Sequence, residues 1–314
     1  MRICLMIEGQ EGVTWEGWRA LAAACEKHGY EALFRSDHYL SVMDSPERGS
    51  LDAWTTIAAL AAVTSRLRLG TLVSPATFRH PSVLAKSVVT VDQVSGGRVE
   101  LGIGAGWLEA EHRAYGFPFA ELRTRMDVMA EQMEIVSRSF ADERFSFKGE
   151  HYEIDDLDAR PKPLQRPRPP IIVGGRGGRR SLALAAQWAD EYNTFSASVD
   201  EIRERRDAFA AAWREAGRDA DAFRFSAMVG ILVGTDEAEL RERAARLAEW
   251  QGREPSEVLD SLRATGVAGT VDEAAERLRE LEAAGAQRVM LQHLLHEDVE
   301  AVELIGRELI PQLA

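Results

Sequence analysis

Residues 67–103 read LRLGTLVSPATFRHPSVLAKSVVTVDQVSGGRVELGI and contain one complete strand–helix–strand unit. The run Leu67–Val73 is mostly apolar, which is typical of a strand buried on both faces. Pro81 begins a segment with apolar residues three and four apart, and proline costs no hydrogen bond in the first turn of a helix. The Gly-Gly pair at 96–97 ends that helix, and Val99–Ile103 is the next strand. Two buried strands joined by a helix predict a parallel sheet covered by helices.

The same alternation runs through the rest of the chain. Strand-like segments begin near positions 2, 31, 67, 99, 170, 190, 225 and 287, and most intervals have the length of one βα unit. Eight such units predict an α/β fold of the (β/α)8 barrel type, with residues 1–314 as a single domain. Longer intervals predict insertions near 144–169, interpreted as a hairpin with a Pro-rich connector, and near 250–269, interpreted as a loop with a short helix. Helix caps are expected at Asp52, Thr235 and Thr270.

The composition excludes several classes of protein. The 314 residues include 51 acidic and 38 basic side chains, so the net charge of -13 leaves no positive surface for nucleic acid or an anionic membrane. No apolar run approaches the ~18 residues that cross a membrane. Cys4 and Cys25 fall within a predicted strand and a predicted helix and look like core residues, which fits a reducing cytoplasm.

Candidate functional residues follow the ends of strands, where the active site of a (β/α)8 barrel lies. Asp37 and His38 follow the second strand, and a histidine beside a carboxylate can exchange a proton near neutral pH. The run Gly174–Gly178 follows the fifth strand and opens a helix, so backbone N–H groups, the helix dipole and Arg176 favour a phosphate there. The run Gly102–Gly106 would let a flat ring lie against the chain.

Each of these segments also has a purely structural interpretation. The two glycine runs would then be turns, and Asp37 would cap a loop while His38 made only a hydrogen bond. None of the four lysines ends one of the eight predicted strands, which disfavours a Schiff-base aldolase. A P-loop, a G-x-S-x-G elbow and an H-x-H motif after the first strand are missing, although Asp37, His38 and His293 would suffice for a metal site.

Five stretches together resemble the luciferase-like monooxygenase superfamily, and within it the branch that uses the deazaflavin coenzyme F420. They are RSDH at 35–38, LGTLVSPATFRHP at 69–81, DQVSGGR at 92–98, LGIGAGW at 101–107 and IVGG at 172–175. The resemblance covers nearly the whole chain, including the helix start at 269–273. The motifs are specific for the superfamily and less specific for the choice of cofactor.

The resemblance implies where the cofactor would lie. Asp37 and His38 would face its ring, with His38 as the catalytic proton donor or acceptor. A bulge with a non-prolyl cis peptide at Leu72–Val73 would back the ring. The other cofactor-binding residues would be Thr71 in that bulge, Gly104, Ala105, Gly106 and Trp107 along the linker, and Gly174, Gly175, Arg176, Gly177 and Gly178 at the phosphate. Some deazaflavin enzymes place a glutamate where this chain has Trp107, which favours His38 as the proton carrier.

We therefore expect an F420-dependent oxidoreductase that transfers a hydride between the deazaflavin and a small organic substrate, without a metal. An FMN-dependent monooxygenase is the alternative, and a metal-dependent barrel hydrolase or a non-catalytic cofactor-binding protein is less favoured. Trp107, Phe78, Tyr39 and the segment Arg144–Tyr152 would line an apolar or aromatic substrate pocket. Members of the superfamily are often dimers, so the resemblance is compatible with a homodimer.

Overall fold

Twelve strands and eleven α-helices follow one another along the part of the chain that the computed structural model describes, residues 1–43, 45, 47–219 and 222–313. Ala314, the last residue of the predicted domain, lies outside the described residues. The strands are β1 (Arg2–Ile7), β2 (Ala32–Arg35), β3 (Arg68–Thr71), β4 (Ser74–Pro75), β5 (Val99–Gly104), β6 (Phe145–Lys148), β7 (Glu153–Leu157), β8 (Ile171–Gly174), β9 (Glu191–Phe195), β10 (Arg224–Gly234), β11 (Val267–Thr270) and β12 (Arg288–Gln292). The helices are α1 (Trp15–His28), α2 (Ala53–Val63), α3 (Pro81–Ser95), α4 (Glu109–Tyr115), α5 (Leu122–Phe140), α6 (Arg179–Trp188), α7 (Val199–Glu215), α8 (Glu237–Gln251), α9 (Pro255–Thr265), α10 (Val271–Ala283) and α11 (Val299–Leu304).

Eight of the strands close a parallel barrel, with the helices around it. Hydrogen bonds connect β1, β2, β3, β5, β8, β9, β10 and β12 in that order, and β12 pairs with β1. The short β4 continues the line of β3 and pairs with β5. The prediction of a (β/α)8 barrel is therefore confirmed.

The strands are apolar on both faces because one face meets the helices and the other fills the barrel. In β1, Leu5 packs in the large cluster between strands and helices. Its neighbours Cys4 and Met6 belong to a separate interior cluster with Phe34 and Met290. This two-residue alternation explains why the predicted strands look continuously apolar. Cys4 and Cys25 are free and buried, as expected of core residues.

A network of buried charges closes the end of the barrel where the strands begin. The Arg288 guanidinium lies 2.7 Å from Glu100, 3.1 Å from Glu191 and 2.9 Å from Glu31. Arg68 also pairs with Glu100. Each of these residues lies at or next to the start of its strand, so this end is plugged and the functional site must lie at the other.

The insertion near 144–169 has the predicted structure, whereas the insertion near 250–269 differs from the prediction. The first is an antiparallel hairpin of β6 and β7, as predicted. The second contains α9, which includes the predicted helix Ser256–Leu262, but it is more than a loop. Residues Val267–Thr270 form β11, which extends the sheet by pairing with the last residues of β10. That expectation was wrong because the segment VAGT is too short and too glycine-rich to show a strand pattern.

The helix caps at Asp52 and Thr270 are confirmed by side-chain hydrogen bonds to the first turns of α2 and α10. The cap predicted at Thr235 is wrong by one residue. Asp236 accepts the hydrogen bonds of two backbone N–H groups of α8, whereas Thr235 donates its hydroxyl to Glu239. No helix within the described ranges is long and apolar enough to cross a membrane.

Candidate active site

The mouth of the barrel collects the segments that follow β1, β2, β4, β5 and β8. Among them are the three candidate segments, which come from strands adjacent or nearly adjacent in the barrel order. Asp37 and His38 follow β2, the turn Ala105–Trp107 follows β5, and Gly175–Gly178 follows β8. The structure therefore places all three segments at the same end of the barrel, opposite the charged plug.

The third strand breaks at the mouth. The peptide bond between Leu72 and Val73 is cis, as the resemblance implied. The Val73 side chain lies against two glycines, because a Cβ atom built on Gly104 or Gly174 would come within 2.7 or 3.1 Å of its γ carbons. At Gly102 a Cβ atom would instead collide first with the backbone carbonyl oxygen of Thr71. Packing against Val73 thus accounts for Gly104 and Gly174, and the close approach of the Thr71 backbone accounts for Gly102.

His38 is fixed by a buried carboxylate. Its Nδ1 lies 2.7 Å from Glu111 Oε1, and the Glu111 side chain is fully buried. Because an ionised carboxylate only accepts, His38 donates from Nδ1, and Nε2 is the ring nitrogen left to take up or release a proton. Burial lowers the pKa of His38, but the hydrogen bond and charge of Glu111 outweigh it, so the pKa rises above the ordinary 6.5. Trp107 meets the imidazole edge-on at 5.6 Å.

Glu111 is a candidate site residue that the sequence patterns did not reveal. It lies on α4, a seven-residue helix that the strand and helix patterns did not reveal. Its second oxygen, Oε2, accepts the backbone N–H of Tyr39, so the carboxylate holds two consecutive residues of the segment after β2. The sequence signal was its position four residues after Trp107, one helical turn beyond the glycine turn.

Asp37 points away from His38 into an ion pair. Its Oδ2 accepts from Ser74 Oγ at 2.6 Å and from Arg79 Nη1 at 2.5 Å, and its Oδ1 from Arg79 Nη2 at 3.1 Å. Asp37 is buried, as is Thr71, whose hydroxyl donates to the Gly102 carbonyl. Asp37 and Thr71 are therefore buried side chains that hold neighbouring segments of the mouth together. The carboxylate in contact with the His38 imidazole is that of Glu111, not that of Asp37.

The glycine run after β8 leads directly into α6. Gly178 is the N-cap of α6 and, with no side chain, leaves the first turn without a side-chain cap. Arg176 lies over the Phe195 ring at 5.2 Å, and Arg180 pairs with Asp127. Among the described residues, Arg176 and Arg179 have no ion-pair partner within 4.0 Å. The end of the helix dipole and two cationic side chains thus meet at a backbone that a ligand can approach.

The residues expected to line a substrate pocket separate in the structure. Trp107 is 62 % exposed, whereas Phe78 is buried and stacks on Tyr39 at 5.2 Å. The turn of the 144–169 hairpin is held on the outer helix α5, where Glu131 accepts the backbone N–H of Tyr152. Tyr152 also meets the ring of His80, the N-cap of α3, edge-on at 5.2 Å, so the hairpin contacts both the outer helix and the segment after β4, and its place in the pocket stays a prediction.

A cavity of about 500 Å³ opens beside the mouth, across the barrel from the glycine run. It lies between the segments after β1, β2 and β12 and the end of α8. Arg48 crosses it, pairing with Glu11 at 3.2 Å and covering the Trp250 ring at 4.3 Å. His296, which contacts the Glu11 carbonyl, forms another wall. The cavity carries both signs of charge and one aromatic surface.

His293 is not part of the mouth. It is buried, its Nε2 contacts the Asp298 carbonyl, and burial lowers its pKa to about 4. Within the part of the chain that the structure describes, no group of three His, Cys, Asp or Glu side chains is arranged to hold a metal ion. A site built from Asp37, His38 and His293 is thus not formed among the described residues.

Comparison with known proteins places this geometry in context. The model of the luciferase-like monooxygenase family matches residues 3–288. The FMNH(2)-dependent dimethylsulfone monooxygenase of Pseudomonas putida is 28% identical, over 93% of this chain and 86% of that protein. The F420-dependent hydroxymycolic acid dehydrogenase of Mycobacterium tuberculosis is 30% identical, over 71% of this chain and 60% of that protein. A solved F420-dependent secondary alcohol dehydrogenase, in complex with an F420-acetone adduct, has the same fold, with a TM-score of 0.84, 20% identity and coverage of 100% of this chain and 99% of that one.

Proposed function

The chain belongs to the luciferase-like monooxygenase family, and within it we propose an oxidoreductase that uses coenzyme F420 to transfer a hydride to or from a small organic substrate. The observation that carries this proposal is the His38–Glu111 pair at the mouth of the barrel. Hydride transfer to a carbonyl, imine or activated alkene leaves a site that needs one proton, and the reverse reaction removes one. A histidine with a raised pKa is suited to both.

The residues at the mouth fit a flat tricyclic ring that carries a phosphate. Val73, Gly104 and Gly174 would lie under the ring, because the two glycines carry no side chain and lie close to Val73. Arg176 and Gly178 would hold the phosphate, Gly177 would shape the turn between them, and the turn 104–107 would follow the linker between ring and phosphate. The bound deazaflavin would supply the carbon that gives or accepts the hydride.

In this proposal His38 is the catalytic residue and Glu111 positions it. Glu111 holds Nδ1, so the proton moves at Nε2 and the ring cannot turn over to present its other nitrogen. Trp107 shields the imidazole on one side. The buried Glu111 carboxylate thus keeps one proton on Nδ1 of His38 and leaves Nε2 as the atom that exchanges the other.

An FMN-dependent monooxygenase is the second candidate, and one observation favours it. The relative that covers 93% of this chain is an FMNH(2)-dependent enzyme, whereas the F420-dependent relative covers 71%. Both cofactors carry a ring and a phosphate, so Val73 with its two glycines and the glycine run suit either. The two proposals differ in whether the reduced protein–cofactor complex consumes oxygen.

Titration with each cofactor distinguishes the candidates. We expect F420 to bind at least about tenfold more tightly than FMN, a difference of about 1.4 kcal/mol, when each is followed by its visible absorbance. Reduced F420 with the protein should be stable in air until a carbonyl, imine, nitro or alkene substrate is added. Equal or tighter FMN binding, together with transfer of an oxygen atom from O2 to a substrate by the reduced complex, would establish the monooxygenase instead. If neither cofactor binds, both proposals fail.

A further inference from the structure

A single buried hydroxyl lies beneath the glycine run. Tyr192 is the second residue of β9, and its ring is packed between Phe209 at 5.2 Å and Phe225 at 6.3 Å between ring centroids. The phenol oxygen accepts the backbone N–H of Gly177 at 2.9 Å and lies 3.0 Å from Ser181 Oγ. The ring is fully buried, so this hydroxyl has a fixed position.

The direction of each hydrogen bond follows from counting protons. Ser181 Oγ lies 2.8 Å from the Gly178 carbonyl, which only accepts, so the serine proton is used there. The Tyr192 hydroxyl must then donate to Ser181 while it accepts from Gly177. The chain of bonds runs from the N–H of Gly177 through Tyr192 and Ser181 to the carbonyl of Gly178. The N–H of Gly177 and the carbonyl of Gly178, which lie just before α6, are therefore both fixed by side chains beneath them.

The glycines of the run serve different purposes. A Cβ atom on Gly175 would lie 2.4 Å from the Tyr192 hydroxyl, so this glycine makes room for tyrosine. Gly177 has φ +81°, a backbone conformation that residues with a side chain rarely adopt. Gly178 has φ −62°, and a Cβ atom there would make only an ordinary contact, 3.7 Å from Ser181 Oγ. Only the Gly178 position is left open toward an approaching ligand.

We propose that Tyr192 and Ser181 are positioning residues that preorganise the glycine run for the phosphate of a flavin or deazaflavin. This inference rests on the proposed function, because it assumes that the run takes the phosphate. Arg205 lies on the other side of the same turn, since a Cβ atom built on Gly177 would come within 3.1 Å of its Cγ and its guanidinium donates to the Phe195 carbonyl. A backbone held in its binding geometry before the ligand arrives loses less entropy on binding.

The test compares ligands that differ only in the phosphate. FMN and riboflavin form one pair, and F420 and its chromophore without the phosphate and tail form another. Dissociation constants are measured by fluorescence quenching for the parent protein, Tyr192→Phe and Ser181→Ala. We expect the parent to prefer the phosphorylated member of the pair by about tenfold or more, and each variant to reduce that preference by about threefold to tenfold.

Tyr30→Phe is the matched control. Tyr30 is also fully buried, and its hydroxyl donates one hydrogen bond to the Val302 carbonyl at 2.9 Å, away from the mouth. It should lower the melting temperature much as Tyr192→Phe does and leave the phosphate preference unchanged. If the role of Tyr192 were purely structural, Tyr192→Phe and Tyr30→Phe would both leave the phosphate preference unchanged.

The results distinguish the proposed phosphate site from the proposed positioning role of Tyr192. A parent protein without phosphate preference would show that the proposed phosphate site is wrong. A clear preference in the parent that persists in Tyr192→Phe would show that the site is right and the positioning role is wrong. If Tyr192→Phe does not fold, Ser181→Ala decides, because its half-exposed side chain can be shortened without opening the core.

Discussion

The buried carboxylate of Glu100 should contribute several kcal/mol to the stability of the barrel and nothing to its chemistry. Glu100 lies in β5 at the closed end, where it accepts from Arg288 Nη1 at 2.7 Å and Nη2 at 3.1 Å and pairs with Arg68. Replacement with glutamine keeps the size of the side chain and removes the charge. Arg288, which is fully buried, would then lose the closest of its carboxylate partners.

The magnitude follows from the pKa of Glu100. Burial raises this pKa, but the charges and hydrogen bonds of Arg288 and Arg68 lower it further, from 4.5 to about 2. The difference corresponds to about 3 kcal/mol at neutral pH, since each pKa unit is about 1.4 kcal/mol. Breaking one partner of a buried ion pair costs about 3–5 kcal/mol in other proteins, which agrees. Because the folded-state pKa is the lower one, this stability is present above pH 4.5 and is lost as the pH falls toward 2.

Urea unfolding of the parent and of Glu100→Gln at pH 7 and pH 3 measures this contribution. The variant should be less stable by about 3–5 kcal/mol at pH 7, and the difference should narrow by about 2 kcal/mol at pH 3. Glu153→Gln is the control, because Glu153 and Lys148 form a pair 3.8 Å apart whose side chains are 70% and 82% exposed. Such pairs contribute about 0–1 kcal/mol. A loss in Glu100→Gln no larger than the control, or a difference independent of pH, would refute the reasoning.

Three further predictions concern the mouth of the barrel. His38→Ala should lower turnover by about 10²–10⁴-fold and remove one limb of the pH–rate profile, with cofactor affinity changed by less than about threefold. Glu111→Gln should lower the pKa of His38, since the charge that raises it is gone, and steady-state rates should show that limb moved to lower pH. Gly178→Asp should weaken binding of the phosphorylated cofactor by at least about tenfold compared with Gly178→Asn, because both side chains cap α6 but only the carboxylate repels the phosphate. Equal affinities of the two Gly178 variants in a titration would show that the phosphate binds elsewhere.

The barrel could be predicted from the sequence because its signals are local. Continuous apolar runs such as Ile3–Ile7 and Ile171–Val173 mark strands covered on both faces, and Pro81 and Gly96 mark the two ends of one helix. Each signal spans a few residues and repeats at the length of one βα unit. The barrel then follows from the number of units, since eight parallel strands close on themselves.

The partners of the site residues could not be predicted in the same way, because they depend on contacts between distant segments. His38 and Glu111 are 73 positions apart, and Asp37 and Arg79 are 42 apart. Sequence proximity suggested Asp37 as the carboxylate beside the imidazole, but consecutive residues at a strand end point in different directions. Asp37 turns to Arg79, and His38 turns to the helix after β5. Only the geometry of the mouth distinguishes these pairings.

The two ends of the barrel use the same interaction for different purposes. Glu100 with Arg288 and Glu111 with His38 are both buried carboxylates against a cationic or ionisable group at 2.7 Å. A guanidinium does not release its proton in this pH range, so the first pair contributes only to stability. An imidazole does, so the second pair sets the pH at which a proton is held or released. At the open end of the barrel the carboxylate faces a histidine, which makes that end suited to proton transfer. At the closed end it faces an arginine, which makes that end suited to structural support.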